Sequence, residues 1–332
     1  MDFRFSQDEL DLAQGTRDFL AGACPPERLR EATNAIWDQI AEMGLIGVMA
    51  PEDHGGLGLD DTAFVLIAEE AGRAALPEPL VEVAGVALPA LVAAGHDVSE
   101  LVAGRKMALP VSDMNVGIHH APDTDLLVFA RPDGLYAAQW SEAVLSAQAS
   151  IDPNRHLFAA EFTPGSNHKI GDAALAADMD ARGVLFTAAQ LLGLTDAMIT
   201  MATDYAKDRE QFGQPIGKFQ AIKHHLATAL VKLEFARPVV YRAAASFNDP
   251  RRDLYIAHAK QAARDAAMVA AETAIQVHGG MGYTFEVDLH YFMKRAWALA
   301  GAWGDEARTL TTIDQAVLGG KVPLGPWETF AT

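Results

Sequence analysis

One short segment of the chain gathers groups that could bind a phosphorylated, aromatic ligand. Arg209, Gln211, Phe212, Gly213 and Gln220 lie close together between two predicted helices. An arginine can donate two parallel hydrogen bonds to a phosphate, and glycine lets backbone N–H groups approach the same ligand. The phenylalanine beside them could cover an aromatic ring system. These residue types predict a binding site for a pyrophosphate-containing cofactor.

A second segment of similar character closes a later predicted helix and contains Gln276, His278, Gly279 and Gly280. Glycines end many helices, so the glycines of both segments also have an ordinary structural interpretation. That interpretation does not account for an arginine, two glutamines and a phenylalanine in one turn. We therefore single out both segments as candidate cofactor-binding residues.

Other motifs in the sequence are too incomplete to predict a site. Residues 213–218 are one residue short of a phosphate-binding P-loop, and no Gly-x-Gly-x-x-Gly follows a strand. His224 and His225 are adjacent, as are His119 and His120, and adjacent side chains on a helix point about 100° apart. No third ligand stands at a useful spacing, so we predict no metal site.

The elements that must position these residues follow from hydrophobic periodicity. Apolar residues at three- and four-residue spacing predict a helical domain in residues 1–108. Short apolar runs at residues 126–130 and 135–138, joined by Arg-Pro-Asp-Gly, predict a small β domain in residues 109–175. Residues 176–332 return to helix with four apolar seams, which is typical of a four-helix bundle. We predict a mostly α-helical fold with a small central β domain.

The composition limits the classes of binding partner and the cellular compartment that we expect for this chain. The 332 residues carry a formal net charge of −18, so a bare nucleic-acid or anionic-membrane surface would repel the chain. The single cysteine, Cys24, excludes an internal disulfide and fits a reducing compartment. The acidic start does not look like a secretory signal, and the longest uncharged runs are too short to cross a bilayer. We expect a soluble, cytoplasmic protein.

The motifs together resemble the FAD-dependent acyl-CoA dehydrogenase family. Residues 209–220 read Arg-x-Gln-Phe-Gly-x-Pro-Ile-x-x-Phe-Gln, and residues 276–283 read Gln-x-x-Gly-Gly-x-Gly-Tyr. Residues 37–45, 51–58 and 69–73 are similar to the helical N-terminal domain of that family. The resemblance implies a helical N-terminal domain, a central β domain and a C-terminal four-helix bundle that builds a tetramer.

The resemblance also implies roles for the two segments. Arg209 would lie on the FAD pyrophosphate, with Gln211, Phe212 and Gln220 nearby, and residues 276–280 would hold the ADP portion. In the family these contacts reach across a subunit interface to the neighbour's FAD. The substrate would be an acyl-CoA thioester, and the electron acceptor an electron-transfer flavoprotein or a similar protein.

The family's catalytic base has no counterpart in this sequence. A glutamate removes the α proton of the thioester in the family, and it occupies one of two positions. We match the first, in a Tyr-Glu-Gly-Thr turn, to Gly301, and the second, near the start of the first bundle helix, to Gly183. The nearby carboxylates Asp180, Asp305 and Glu306 are expected to be helix-end or surface charges, so we predict no catalytic residue.

The chain therefore looks like one of two unlike subunits that together form an enzyme. It resembles the short, degenerate subunit of the α2β2 acyl-CoA dehydrogenases that actinobacteria use on CoA esters of steroid side chains. Its partner would be a longer homologous subunit that carries the base. Two alternatives stay open at this point: a self-sufficient homotetrameric acyl-CoA dehydrogenase, and a non-catalytic scaffold or binding homologue.

Overall fold

The N-terminal part of the molecule is helical, as predicted. The computed structural model describes residues 4–30, 36–114, 117–119 and 124–322. Its first helices are α1 (Gln7–Ala23), α2 (Trp37–Glu42), α3 (Asp61–Arg73), α4 (Leu88–Ala93) and α5 (Ser99–Val102), with a π-helical segment (Val81–Ala87) leading into α4. Helix α1 begins with a capping box, in which the Ser6 hydroxyl accepts from the Glu9 N–H and the Glu9 carboxylate accepts from the Ser6 N–H.

Two small sheets follow the first helices. The strands are β1 (Ala108–Ser112), β2 (Ile118–His119), β3 (Leu126–Arg131), β4 (Gly134–Gln139), β5 (Val144–Gln148), β6 (Leu157–Glu161) and β7 (Lys169–Gly171). One sheet has the order β1-β3-β4-β7, with β1 and β3 parallel, and the other has the order β2-β6-β5. The predicted strand–turn–strand is confirmed, because β3 and β4 pair antiparallel around the turn between Arg131 and Gly134.

The C-terminal part is a bundle with one helix more than the four predicted. The elements are α6 (Ala173–Asp208), a hairpin of β8 (Glu210–Gln211) and β9 (Gln214–Pro215), α7 (Gln220–Ala245), α8 (Arg252–His278), α9 (Leu289–Gly301) and α10 (Glu306–Val317). The additional helix is α9, and α7 contains Pro238 within its span. The domain boundaries stay predictions, and the two chain ends lie outside the described residues.

Helices α6 and α8 run parallel, and they contact each other through an ion pair near one end and an aromatic stack near the other. Near their starts Arg252 pairs with Asp178, and near their ends the rings of Tyr205 and His278 stack. Helix α6 is the one helix in the described ranges that is long and apolar enough to cross a membrane, but 78% of its most apolar window is buried inside the protein. It is therefore the central helix of the core.

Helix α3 crosses α6 with the two backbones in direct contact, and two glycines allow this. A Cβ atom at Gly193 of α6 would lie 1.8 Å from the Glu69 carbonyl oxygen. A Cβ atom at Gly72 of α3 would lie 2.1 Å from the Gln190 carbonyl oxygen. Neither distance leaves room for a methyl group. This crossing joins the N-terminal helices to the bundle.

We predict that Gly193→Ala destabilises the protein by at least about 3 kcal/mol, because backbone atoms cannot move away as a flexible side chain can. The matched control is Gly15→Ala in α1, where a new Cβ meets nothing within 4 Å. That substitution should stabilise by about 0.5–1 kcal/mol, since alanine is the better helix former. Urea unfolding followed by circular dichroism measures both. Equal effects of the two substitutions would disprove the close crossing.

Candidate functional site

The first predicted segment forms a tight hairpin at the end of α6. The Arg209 N–H donates to the Tyr205 carbonyl, 2.9 Å away, and ends the helix. The chain then turns between β8 and β9 through Phe212 and Gly213, whose φ angles are 54° and 78°. Two consecutive residues with positive φ are what a two-residue hairpin turn requires. Phe212 is thus held in a conformation that glycine adopts far more easily, and its side chain is 93% exposed.

The second predicted segment ends α8 and leaves its backbone open. Gly279 has a φ of 59° and terminates the helix, and residues 279–283 form a short 3-10 turn. A Cβ atom at Gly279 or Gly280 would meet nothing within 4 Å. The backbone at these two positions is therefore accessible to a ligand.

The structure brings both segments to the same end of the bundle. The Tyr205 ring, one turn before Arg209, stacks on the His278 ring with 4.2 Å between centroids. A groove of about 490 Å³ runs between α7 and α8 at this end. Its lining includes His224, His225 and Thr228 from α7 and Glu272, Thr273 and Gln276 from α8. The two segments therefore lie at the same end of the bundle, and Gln276 of the second segment also lines this groove.

Arg209 presents an unpaired cation at this end of the bundle. Its side chain is exposed and has no hydrogen-bond or ion-pair partner among the residues that the structure describes. The nearby carboxylate of Asp204 is instead engaged by Lys207, 2.7 Å away. The guanidinium is thus available for an external anion.

The remaining predicted side chains divide into exposed amides and one buried imidazole. Gln211, Gln220 and Gln276 are exposed. His278 is buried, and its Nδ1 donates to the Ala274 carbonyl at 2.8 Å. Burial lowers the pKa of His278, which favours the neutral ring. The His278 side chain therefore packs against Tyr205 within the protein, a role that the sequence did not reveal.

Exposed aromatic and aliphatic side chains accompany the site. Tyr283 and Phe285, which follow the second segment, are 81% and 77% exposed. Leu230, Val231 and Phe235 on α7 are exposed as well, and Phe235 reaches 75%. Tyr283 and Phe285, together with the exposed amides, make this end of the bundle an open surface. The exposed residues of α7 lie farther along that helix. A ligand bound there would need a second surface to enclose it.

Comparison with known proteins identifies the family of this chain. The sequence model of the acyl-CoA dehydrogenase N-terminal domain matches residues 6–99, and that of the C-terminal domain matches residues 181–318. The acyl-CoA dehydrogenase IpdE2 of Mycolicibacterium smegmatis is 32% identical over 304 residues, which cover 88% of this chain and 93% of that protein. This chain belongs to the acyl-CoA dehydrogenase family. The family predicted from the motifs is confirmed.

Solved structures of acyl-CoA dehydrogenases confirm the predicted fold. A chain of the ChsE4-ChsE5 complex from Mycobacterium tuberculosis aligns with a TM-score of 0.87 at 21% identity, covering 98% of this chain and 100% of that chain. A chain of the Tcur3481-Tcur3483 steroid ACAD aligns with a TM-score of 0.83 at 21% identity, covering 95% and 99%. At this level of identity, both comparisons bear on the fold alone.

The two positions matched to the base of acyl-CoA dehydrogenases lie in different surroundings. Gly301 is the exposed last residue of α9, and a Cβ atom there would meet nothing within 4 Å. Gly183 lies on α6 against the indole of Trp303, which belongs to the turn between α9 and α10. No local sequence pattern indicates this contact, because it joins residues far apart in the chain.

The three carboxylates near these positions have other roles or surroundings. Asp305 caps α10 by accepting from the Arg308 N–H at 2.9 Å, and exposed Glu306 pairs with Arg264 at 2.7 Å. Both are helix-end or surface charges, as expected. Asp180 is half-buried rather than a surface charge, and its Oδ1 has no hydrogen-bond partner among the residues that the structure describes. Burial raises the pKa of Asp180.

The conformation of Phe212 leads to a stability prediction for the FAD-free protein. Phe212→Gly should raise the free energy of unfolding by up to about 1 kcal/mol, because left-handed backbone costs roughly 1–2 kcal/mol in residues other than glycine. Little burial is lost, since the ring is exposed. Urea unfolding of the apo protein measures the change.

Phe219→Gly serves as the control. Phe219 has a φ of −76°, which residues with a side chain adopt without strain, and its side chain is partly buried. This substitution should lower the stability of the apo protein. If Phe212→Gly lowered it as much, the Phe212 ring would be packing within this chain rather than awaiting a ligand or partner.

Proposed function

We propose that this chain is the non-basic subunit of a heteromeric, FAD-dependent acyl-CoA dehydrogenase. It contributes half of an FAD site across a subunit interface, and a longer homologous subunit supplies the rest of that site and the catalytic glutamate. The proposal rests on two neighbouring residues of an open surface: Arg209, whose side chain has no partner in the described part of the chain, and the strained, exposed Phe212.

The donor set at this end of the bundle fits the pyrophosphate of FAD. The Arg209 guanidinium can donate two parallel hydrogen bonds to phosphate oxygens, and the exposed amides of Gln211, Gln220 and Gln276 add further donors. The open backbone at Gly279 and Gly280 permits close approach. When bound, FAD would accept the β hydride of an acyl-CoA thioester. This chain's residues would hold and orient it.

A partner subunit explains the exposed apolar groups. Leu230, Val231 and Phe235 occupy one stretch of α7, and Phe212 projects from the hairpin at the start of the same helix. Apolar surface of this kind is typical of a protein–protein interface. A related subunit would present a bundle of similar shape, so we propose an α2β2 tetramer.

The relatives and the composition support a proposal for the substrate class and the cellular setting. One structural relative is a steroid ACAD, which supports a CoA ester of a steroid side chain as the substrate. We further propose a cytoplasmic enzyme that passes its electrons to an electron-transfer flavoprotein or a similar acceptor. The chain itself would contact neither nucleic acid nor membrane, in keeping with its net charge of −18.

The first functional prediction concerns Arg209 in the complex with the partner subunit. A charge-assisted contact to pyrophosphate is worth roughly 1.5–3 kcal/mol, so Arg209→Ala should weaken FAD binding by about 10–100-fold. Arg209→Lys should recover only part of this, because a point charge cannot reproduce the guanidinium fork. Fluorescence titration of FAD into the apo complex measures the affinities.

The control for Arg209 is Lys207→Ala, which removes an exposed cation two residues earlier that pairs with Asp204. FAD affinity should stay at the wild-type value in this variant. The melting temperature of the apo complex should be the same for both alanine variants. Unchanged FAD affinity in Arg209→Ala would refute the cofactor site.

The second functional prediction is that no carboxylate of this chain is the base. Asp180→Asn, Asp305→Asn and Glu306→Gln should each leave turnover of the assembled complex within a few-fold of wild type. General-base catalysis contributes typically 10²–10⁴-fold. A loss of about a thousandfold or more in one variant, with FAD still bound, would identify that residue as the base.

A further inference from the structure

Trp303 has an unusual backbone conformation for a large residue. It lies in the turn between α9 and α10 with a φ of 55°, and its side chain is 3% exposed. Residues other than glycine rarely adopt this region, and when they do, the surrounding structure must hold them there. Hydrogen bonds from α8 and to the segment after β1 hold this turn in place.

Two hydrogen-bonded anchors fix the turn. The fully buried Lys260 of α8 donates from Nζ to the carbonyls of Leu299 and Ala302, at 2.8 and 2.7 Å. Directly after Trp303, the Gly304 N–H donates to the Met114 carbonyl at 2.7 Å. The indole can therefore not swing out of the core without breaking contacts to α8 and to the segment after β1.

The indole fills the space beside Gly183. A Cβ atom at Gly183 would lie 2.3 Å from the Cδ2 and Cε3 atoms of Trp303. Next to the indole, a cavity of about 300 Å³ opens between α6, α8 and α10. Trp303, Val184 and Ala257 contribute to its apolar wall, and Asp180, with its unpartnered Oδ1, lies on the same lining.

We propose that Trp303 closes this chain's own copy of the reaction site, so that one productive site remains for each pair of unlike subunits. This inference rests on the proposed function. The two alternative positions of the family's base must serve the same reacting carbon, so they must be neighbours in the fold. The three heavy atoms nearest to a Cβ built on Gly183 all belong to Trp303 of the α9–α10 turn, and none belongs to Gly301 at the end of α9. The indole thus occupies the space in which a base and a thioester would meet.

The contact is tested first on the full chain without FAD. Gly183→Ala should lower the melting temperature by about 4–8 °C, because the new methyl group overlaps the indole. In a Trp303→Gly background the same substitution should change the melting temperature by less than about 2 °C. Equal effects in both backgrounds would overturn the proposed contact. If Trp303→Gly does not fold, an unchanged melting temperature of Gly183→Ala alone would overturn it equally.

The closure is tested by titrating butanoyl-CoA into the full chain in a calorimeter, which measures the heat of binding. The wild type should bind no butanoyl-CoA, and Trp303→Gly should gain saturable binding with one equivalent per chain. Trp140→Gly, which removes a partly exposed indole elsewhere, should behave as the wild type. Binding by the wild type, or no gain in a folded Trp303→Gly chain, would overturn the proposal. Because the assay uses no FAD, a negative result here can be distinguished from a failure of the proposed FAD site at Arg209.

Discussion

The backbone contact between α3 and α6 is the constraint on which the rest of the structure depends. It holds because Gly72 and Gly193 each face a carbonyl of the other helix. Helix α6 extends in both directions from this crossing. One end carries Arg209 and its hairpin, and the other carries Gly183 beside Trp303. The crossing therefore fixes both the exposed Arg209 hairpin and the interior filled by Trp303 with respect to the N-terminal helices.

A network of charges surrounds the same crossing and ties α7 to it. Asp196 of α6 accepts from Arg73 of α3 and from Arg237 of α7, and buried Glu69 of α3 accepts from Arg237 and from the Tyr241 hydroxyl, 2.6 Å away. Burial raises the pKa of Glu69 in spite of these donors. Removing one partner from such a network leaves a buried charge uncompensated, which costs more than the pair itself contributes. Helix α7, which carries the exposed apolar face, is thereby held rigidly against α3 and α6.

Periodicity and turn chemistry in the sequence predict much of this fold. They do not predict the tertiary contacts between residues that are distant in the chain. The β3–β4 hairpin follows from two apolar runs around Pro-Asp-Gly, and the long helices follow from their seams. Helix α9 is absent from the prediction, although its buried residues Leu289, Phe292, Ala296 and Leu299 stand at helical spacing. The motifs identified the exposed Arg209 and Phe212, whose role depends on local residue types. Sequence could not show that His278 packs on Tyr205, or that Trp303 fills the space at Gly183, because neither pair is close in the chain.

In the proposed function, this chain supplies half of a flavin site and needs an unlike subunit to complete it. The mass and FAD content of the purified protein, with and without the co-expressed longer subunit, test this directly by light scattering and flavin absorbance. We expect an α2β2 tetramer with one FAD for each pair of unlike chains, and a lone chain that retains no FAD. A homotetramer of this chain alone, carrying one FAD per chain and turning over an acyl-CoA, would contradict it.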